Sequence, residues 1–446
     1  DTESLTIFFF NDPHGQIDHF DEIQHIVEKE SEETPTLLVC AGDIFSGNPI
    51  VDQHDQKGYP IVDLMNRAGV DVTVIGNHEF DYGTDILKAR IEESQFEWIC
   101  ANVNTSESVL PDISPYVTLN ANDIPVTFLG LVETGGKPND IIPLTHPWRV
   151  TDLTFEHYYN MVGNYRNLKE QESAKLYVAL THLGSNADRQ LAEDNNWFDL
   201  IIGGHSHEQI NEKVNGTPVL QASSYLRLLG KIELELNGAE LHDYKVSFID
   251  LEDYPQQNNE LTARIEAYQS NPKFSEVVGH ANSHHNRDEV GCFYTTALKH
   301  YMQTDVSIQN GGGVRSNIEQ GEVTTMDIYH VDPFNNGSVI FTMTVKELQD
   351  FFKETGAGMH ISGIDFVQNG RELDFYDEEG RLLLPDETIT VGMNDYIPAV
   401  YDEYFVVEKA EIQELTTAET LIQYLKTQES NIDFEGCSRY FRFESE

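Results

Sequence analysis

Short apolar runs recur through the first half of the chain, separated by stretches in which apolar residues return every three or four positions. The runs at 5–10, 36–40, 72–75, 97–100, 126–131, 175–180 and 199–202 predict strands, since β-branched and aromatic residues bounded by turn residues suit a buried pleated surface. Between them Phe20, Ile23, Ile26 and Val27 share one helical face. Pro60, at a first-turn position, opens a second helix with Ile61, Leu64, Met65 and Ala68 on one side. Strands alternating with helices predict a layered α/β domain. Residues 226–236 and 246–251 then alternate with no helix between them, so the sheet is expected to finish antiparallel.

The pattern breaks at 253–274, which opens polar, carries one helical patch (Leu261, Ile265, Tyr268) and closes on Asn271 and Pro272. Beyond it, helices at 289–303, 345–354 and 414–427 mix with strands at 306–309, 339–344 and 388–391. A chain of 446 residues is long enough for two domains, and the expected division is 1–252, a linker with a helix at 253–276, and 277–446.

Charge changes this picture more than composition does. Twenty-eight Lys and Arg against 76 Asp and Glu leave a net charge of −48, spread along the chain. Such a field repels polyanions, which argues against a nucleic-acid polymer as partner, and it fits a high-salt habitat where screening weakens self-repulsion. With 39 % hydrophobic residues the chain is nonetheless a folding one. No apolar run approaches the 18 or so residues of a membrane span. The opening at Asp1 has no cleavable leader, which leaves a cytosolic chain or a trimmed mature one. Cys40, Cys100, Cys292 and Cys437 show neither CxxC spacing nor the density of a disulfide framework, and Cys40 and Cys100 sit in apolar runs as core thiols.

The chemistry lies where strands end. Asp12 and His14 follow the first strand, Asp43 the second, and Asn77 with His78 the third. His182 follows a later strand, and His205 and His207 follow DLII. In layered α/β folds the carboxyl ends of strands converge on one ligand-binding edge. One Asp there is usually a turn former or a cap, and one His a structural residue. Repetition at five ends, each beside a glycine, is hard to obtain from turn chemistry. Nitrogen and oxygen donors without cysteine suit Zn, Mn, Fe or Mg. Seven donors are too many for one ion. Two ions roughly 3.5–4 Å apart need a bridging carboxylate, and Asp43 is the natural one because Asp12 comes paired with His14.

NDPHG, GD, GNHEFD, THLG and GGHSH, in this order, resemble the signature of the calcineurin-like metallophosphoesterases, specifically the 5'-nucleotidase family. NGGGVR (310–315) and DPF (332–334) resemble that family's C-terminal domain, so the likeness covers the whole chain. It implies a four-layer α/β/β/α metal domain joined by a helical linker to a smaller α/β substrate-binding domain. It further implies two divalent ions (Zn, Mn or Fe), one on Asp12, His14, Asp43 and His207, the other on Asp43, Asn77, His182 and His205. His78 and Asp81 match the family's catalytic dyad, although Asp81 also stands where it could cap a helix near Thr84.

Asn102 matches an asparagine near the phosphate, or else simply turns the chain. Asn310, Gly312 and Arg315 match a phosphate- and nucleotide-binding loop, Tyr396 one of two base-stacking rings or ordinary packing, and Asp402 an acidic partner for sugar hydroxyls. No second ring is found where relatives carry one, because this chain reads GAGMHISG (356–363), and VYDEYF replaces the usual glycine-rich ending. The implied activity is release of phosphate from nucleoside 5'-phosphates by a metal-activated water. The same centre could instead serve 2',3'-cyclic nucleotides or split sugar nucleotides such as UDP-sugars. A nucleotide-binding surface protein without catalysis is the reading from another class. Relatives of this kind are periplasmic, secreted or on the cell surface.

Overall fold

The structure, a computed structural model, describes residues 2–445 and divides into two compact units, Asp1–Asn271 and Pro272–Glu446. In the first unit, strands β1 (Thr2–Phe10), β2 (Thr36–Cys40), β3 (Val72–Val74) and β4 (Glu97–Ile99) run parallel, in that order. A second sheet carries β5 (Tyr116–Ala121), β6 (Ile124–Val132), β7 (Leu176–His182), β8 (Leu200–Ile202), β9 (Gln209–Val214) and β10 (Thr217–Ala222), in spatial order β9-β10-β8-β7-β6-β5. Antiparallel β11 (Leu228–Asn237) and β12 (Glu240–Asp250) complete the first sheet on its β1 side, as the unbroken alternation predicts.

The period of two sorts each strand's side chains between two layers. Leu5, Ile7 and Phe9 of β1 join Phe128 of β6, Val178 of β7 and Ile202 of β8 in one buried cluster, so the sheets pack face to face. The alternate residues face outward: Phe10 meets Phe20 of helix α1 (Phe20–Ser31), while Tyr177, Ala179 and Ile201 meet Leu191 and Ala192 of α2 (Ser185–Asp194). Helix, sheet, sheet, helix is the expected four-layer order. Each such fully buried Phe, Leu or Ile contributes about 1.5–3 kcal/mol.

Helix α3 (Glu260–Gln269), inside the stretch expected as linker, packs within the first unit. Leu261 and Ile265 are buried, and Arg264 and the Tyr268 hydroxyl both donate to Asp63.

The second unit is also α/β. Its main sheet orders β17-β14-β16-β13-β15-β18, from β13 (Val306–Asn310), β14 (Gly337–Thr344), β15 (Met359–Ser362), β16 (Thr388–Asn394), β17 (Glu411–Thr416) and β18 (Tyr440–Phe441). The helix expected at 414–427 begins later, at Thr417, because Thr416 accepts from the Glu419 N–H and caps it, leaving 414–416 in β17. Cysteine spacing hid a further feature: Cys292 and Cys437 form a disulfide across 145 residues, tying the C-terminal segment to helix α4 (Arg287–Met302), while Cys40 and Cys100 are buried free thiols as expected. No helix among the described residues is long and apolar enough to cross a membrane.

Candidate metal centre

Parallel pairing aligns Phe10 with Cys40 and Cys40 with Thr73, so the ends of β1, β2 and β3 set Asp12, Asp43 and Asn77 in a row. In the facing sheet Val132 aligns with His182, and Leu180 with Ile202, which brings His182 and the 203–207 turn to the same edge. All seven expected donors meet there. His182 Nε2 lies 3.0 Å from Asp43 Oδ2, and His207 Nε2 3.2 Å from Asp12 Oδ1. Asn77 Oδ1 is 3.1 Å from His182 Nε2 and 3.0 Å from His205 Nδ1. Three groups have ligand atoms close enough to hold an ion: Asp12, His14 and His207; His14, Asp43 and His78; Asp43, His182 and His205.

Backbone contacts decide which atoms face inward. His14 Nδ1 donates to the carbonyls of Ser46 (2.9 Å) and Phe45 (3.2 Å), and His182 Nδ1 to that of Ala41 (2.7 Å), which turns each Nε2 toward the carboxylates. Asn77 donates Nδ2 to the Leu144 carbonyl at 2.8 Å, which turns its oxygen toward the histidines. Asp12 Oδ2 accepts from Asn11 Nδ2 and the His205 N–H, while the buried Asp12 Oδ1 faces the Nε2 atoms of His207, His14 and His182 at 3.2, 3.7 and 3.9 Å. His14 Nε2 and His207 Nε2 stand 3.0 Å apart. Carboxylate oxygens and imidazole nitrogens converging in one space fit a cation better than a neutral ligand.

The backbone is strained to achieve this. Asp12, His14, Asp43, His205 and His207 all have positive φ, between 48° and 80°. Left-handed non-glycine residues cost about 1–3 kcal/mol each and gather at functional sites. Electrostatics point the same way. Burial alone would raise the Asp43 carboxyl, but His182 and His78 hold it well below the usual range. Burial would lower His182, yet Asp43 and Asp12 push it up to about 10, and burial together with His182 drops His205 to about 4. The two carboxylates thus draw protons onto neighbouring imidazoles where cations would replace them.

His78 sits at the rim, its Nδ1 2.6 Å from Asp81 Oδ2. The helix opening at Thr84 has no side-chain cap, so Asp81 orients His78 and caps nothing there. Thr145 Oγ1 reaches the other Asp81 oxygen at 3.3 Å. Asn102 commits both amide hydrogens, to Val132 O and Glu156 O, and accepts from Val132 N. It therefore turns the chain and has no hydrogen left to donate to a phosphate.

Glu79 is the functional residue that sequence reasoning missed. Fully buried, it accepts from the N–H groups of Asp43 (2.9 Å), Ile44 (2.6 Å) and Gly76 (2.5 Å), clamping the turns after β2 and β3 together. Its signal lay inside GNHEFD, overshadowed by the histidine. Gly76 has ordinary φ but no space: a Cβ would lie 2.3 Å from Asp43 Oδ1. Gly76→Ala is expected to lower stability by about 1–3 kcal/mol through overpacking and to reduce bound metal, read by thermal melts and elemental analysis. Equal stability and metal content would refute the clamp.

In the second unit Asn394 Nδ2 donates to Gln309 Oε1 and Asn310 Oδ1, at 2.8 and 2.9 Å, so the end of β13 is tied to the end of β16, two residues before Tyr396. Gly312 is exposed, Arg315 stacks over Phe334 at 5.7 Å, and Asp402 is exposed two residues past the helix Tyr396–Val400. An aromatic ring that the sequence did not suggest lies at the glycine loop: Tyr440, 42 % exposed, stands where a Gly311 Cβ would lie 3.0 Å from its ring, and packs 5.1 Å from His360.

Comparison with known proteins agrees with both units. Residues 5–209 match the calcineurin-like phosphoesterase family and residues 269–408 the 5'-nucleotidase C-terminal domain. Endonuclease YhcR of Bacillus subtilis is 25 % identical over 95 % of this chain, which spans 40 % of that protein's length. The 5'-nucleotidase of Vibrio vulnificus is 25 % identical, covering 90 % of this chain and 86 % of its own. The crystal structure of a Thermus thermophilus 5'-nucleotidase precursor superposes with a TM-score of 0.84 at 21 % identity, over 98 % of both chains, and shows the same fold.

Proposed function

We propose that this chain, which belongs to the calcineurin-like phosphoesterases and carries a 5'-nucleotidase C-terminal domain, releases phosphate from nucleoside 5'-phosphates at the strand-end cluster of its first unit. One ion would be held by Asp12, His14, Asp43 and His207, a second by Asp43, Asn77, His182 and His205, with Asp43 shared. When bound, such ions supply a water that is acidic at neutral pH and positive charge for the phosphoryl oxygens. The chain's own groups do the rest. His78, held by Asp81, donates from Nε2 to the oxygen on which negative charge grows as the ester bond breaks. The observation that carries this reading is the convergence of His207, His14 and His182 Nε2 on the buried Asp12 Oδ1, at 3.2, 3.7 and 3.9 Å, beside Asp43. Phosphate release from AMP, measured together with elemental analysis, tests it: about two equivalents of Zn, Mn or Fe and turnover that stops on their removal are expected. Turnover by metal-free protein would refute it.

On the nucleotide side, Asn310, Gly312 and Arg315 would meet phosphate or sugar, Asp402 the sugar hydroxyls, and Tyr396 and Tyr440 the base. Base–aromatic stacking is worth about 1–3 kcal/mol. Tyr440→Ala should therefore raise the KM for AMP about tenfold while hydrolysis of p-nitrophenyl phosphate, which has no base, stays unchanged; equal loss on both substrates would remove Tyr440 from this role. Including UDP-glucose and 2',3'-cyclic AMP among the substrates separates monoesterase from pyrophosphatase and diesterase action. The Cys292–Cys437 disulfide supports export to an oxidising compartment.

A further inference from the structure

Behind the metal-facing side chains lies a buried carboxylate that the reaction does not use. Asp52, 1 % exposed, ends the short helix Pro49–Asp52. Its Oδ2 accepts from the Gly47 N–H at 2.8 Å, and its Oδ1 accepts from the Tyr82 hydroxyl. Lys57 Nζ donates to its backbone carbonyl at 2.6 Å. The two side-chain bonds lead in different directions.

Gly47 belongs to the turn whose preceding carbonyls, Phe45 and Ser46, receive the His14 Nδ1 proton. That turn is not relaxed, because Ser46 has φ 66° and Gly47 φ 144°. It also presses directly on His14: a Cβ on Gly47 would lie 2.7 Å from the His14 carbonyl. Something must hold the Gly47 N–H, and Asp52 does. Tyr82 is covalently next to Asp81, and its ring lies 4.9 Å from Phe45. One carboxylate therefore grips both the turn that aims His14 and the residue adjoining the one that aims His78.

We propose that Asp52 and Tyr82 are positioning residues, a single brace that keeps His14 turned toward its ion and Asp81 turned toward His78. The inference rests on the phosphoesterase reading above. Groups behind metal ligands commonly alter metal affinity roughly 10–100-fold when removed, because they fix ligand orientation. The brace has two arms with separable effects. The Gly47 arm should govern metal affinity through His14, and the Tyr82 arm turnover through Asp81.

The test uses the full chain, manganese as the metal probe and AMP as substrate, with Asp52→Ala, Asp52→Asn and Tyr82→Phe beside wild type. Asp52→Ala should weaken one of the two manganese equivalents roughly 10–100-fold and leave the other near its wild-type affinity. Asp52→Asn should recover most of that loss, since its amide oxygen can accept from Gly47 while its NH2 group donates to Tyr82. Tyr82→Phe keeps the ring against Phe45, so manganese affinity should stay at the wild-type value while kcat at saturating manganese falls and KM does not. If the variants lower only the melting temperature, with affinity and kcat per folded molecule unchanged, Asp52 is a structural staple and the proposal is overturned. Should Asp52→Ala fail to fold, Tyr82→Phe decides alone. Wild-type protein that binds manganese but releases no phosphate would refute the phosphoesterase reading and leave the brace to be judged by affinity.

Discussion

Asp43→Asn is expected to cut turnover about a thousandfold or more while the fold survives. Asp43 is 1 % exposed and belongs to two of the three donor groups, so it links the His14 side of the centre to the His182 side. Charge stabilisation by a bound cation is worth several kcal/mol, and about 4 kcal/mol corresponds to a thousandfold in rate. Asparagine keeps the shape and can still accept the His78 N–H that Asp43 Oδ1 now receives at 2.9 Å. What it removes is the charge opposite His182, 3.0 Å away, and with it the bridge proposed between two cations. Circular dichroism should be unchanged and elemental analysis should show less than two equivalents bound. A variant with wild-type kcat would mean that Asp43 bridges nothing.

Stripping metal with a chelator should lower the melting temperature of the first unit by about 5–10 °C for each ion lost. Mass action gives about 2.7 kcal/mol for a ligand present at a hundred times its dissociation constant. For a domain of some 150–250 residues each kcal/mol moves the midpoint by about 2–4 °C. The sign follows from the site: without cations, two buried carboxylates keep their charge only by drawing protons onto adjacent histidines. Calorimetry in EDTA, followed by re-addition of Zn, Mn or Fe, checks both direction and reversal. Identical midpoints with and without metal would show that nothing binds there with useful affinity.

How far these expectations could be drawn from the sequence varies from residue to residue. Asp12, Asp43, Asn77 and His182 were legible because each stands at the end of an apolar strand run, and parallel strands within a layer end at one edge; that the two layers share that edge is a matter of their packing. The His78–Asp81 pair was legible as spacing, since the two stand three positions apart, but a helix cap and an orienting carboxylate looked alike until the helix at Thr84 proved to have no side-chain cap. Asn102 looked equally like a phosphate ligand, and only its contacts with Val132 and Glu156 decide the matter. Glu79 stood inside a motif without its own pattern. Tyr440 and Cys437 lie so far along the chain from Gly311 and Cys292 that no local periodicity connects them.

The sequence by itself determined the strand-and-helix order, the layer each side chain enters, and the set of donors delivered to one edge, because those depend on period-two and period-3.6 burial of nearby residues. Which nitrogen of His14 points inward, which oxygen of Asp12 faces the imidazoles, which asparagine is structural and which ring lies at the glycine loop were decided only by the tertiary structure. Those outcomes hang on single hydrogen bonds and steric contacts between residues tens to hundreds of positions apart, from His14 with Ser46 to Gly311 with Tyr440, and no local pattern encodes such pairings.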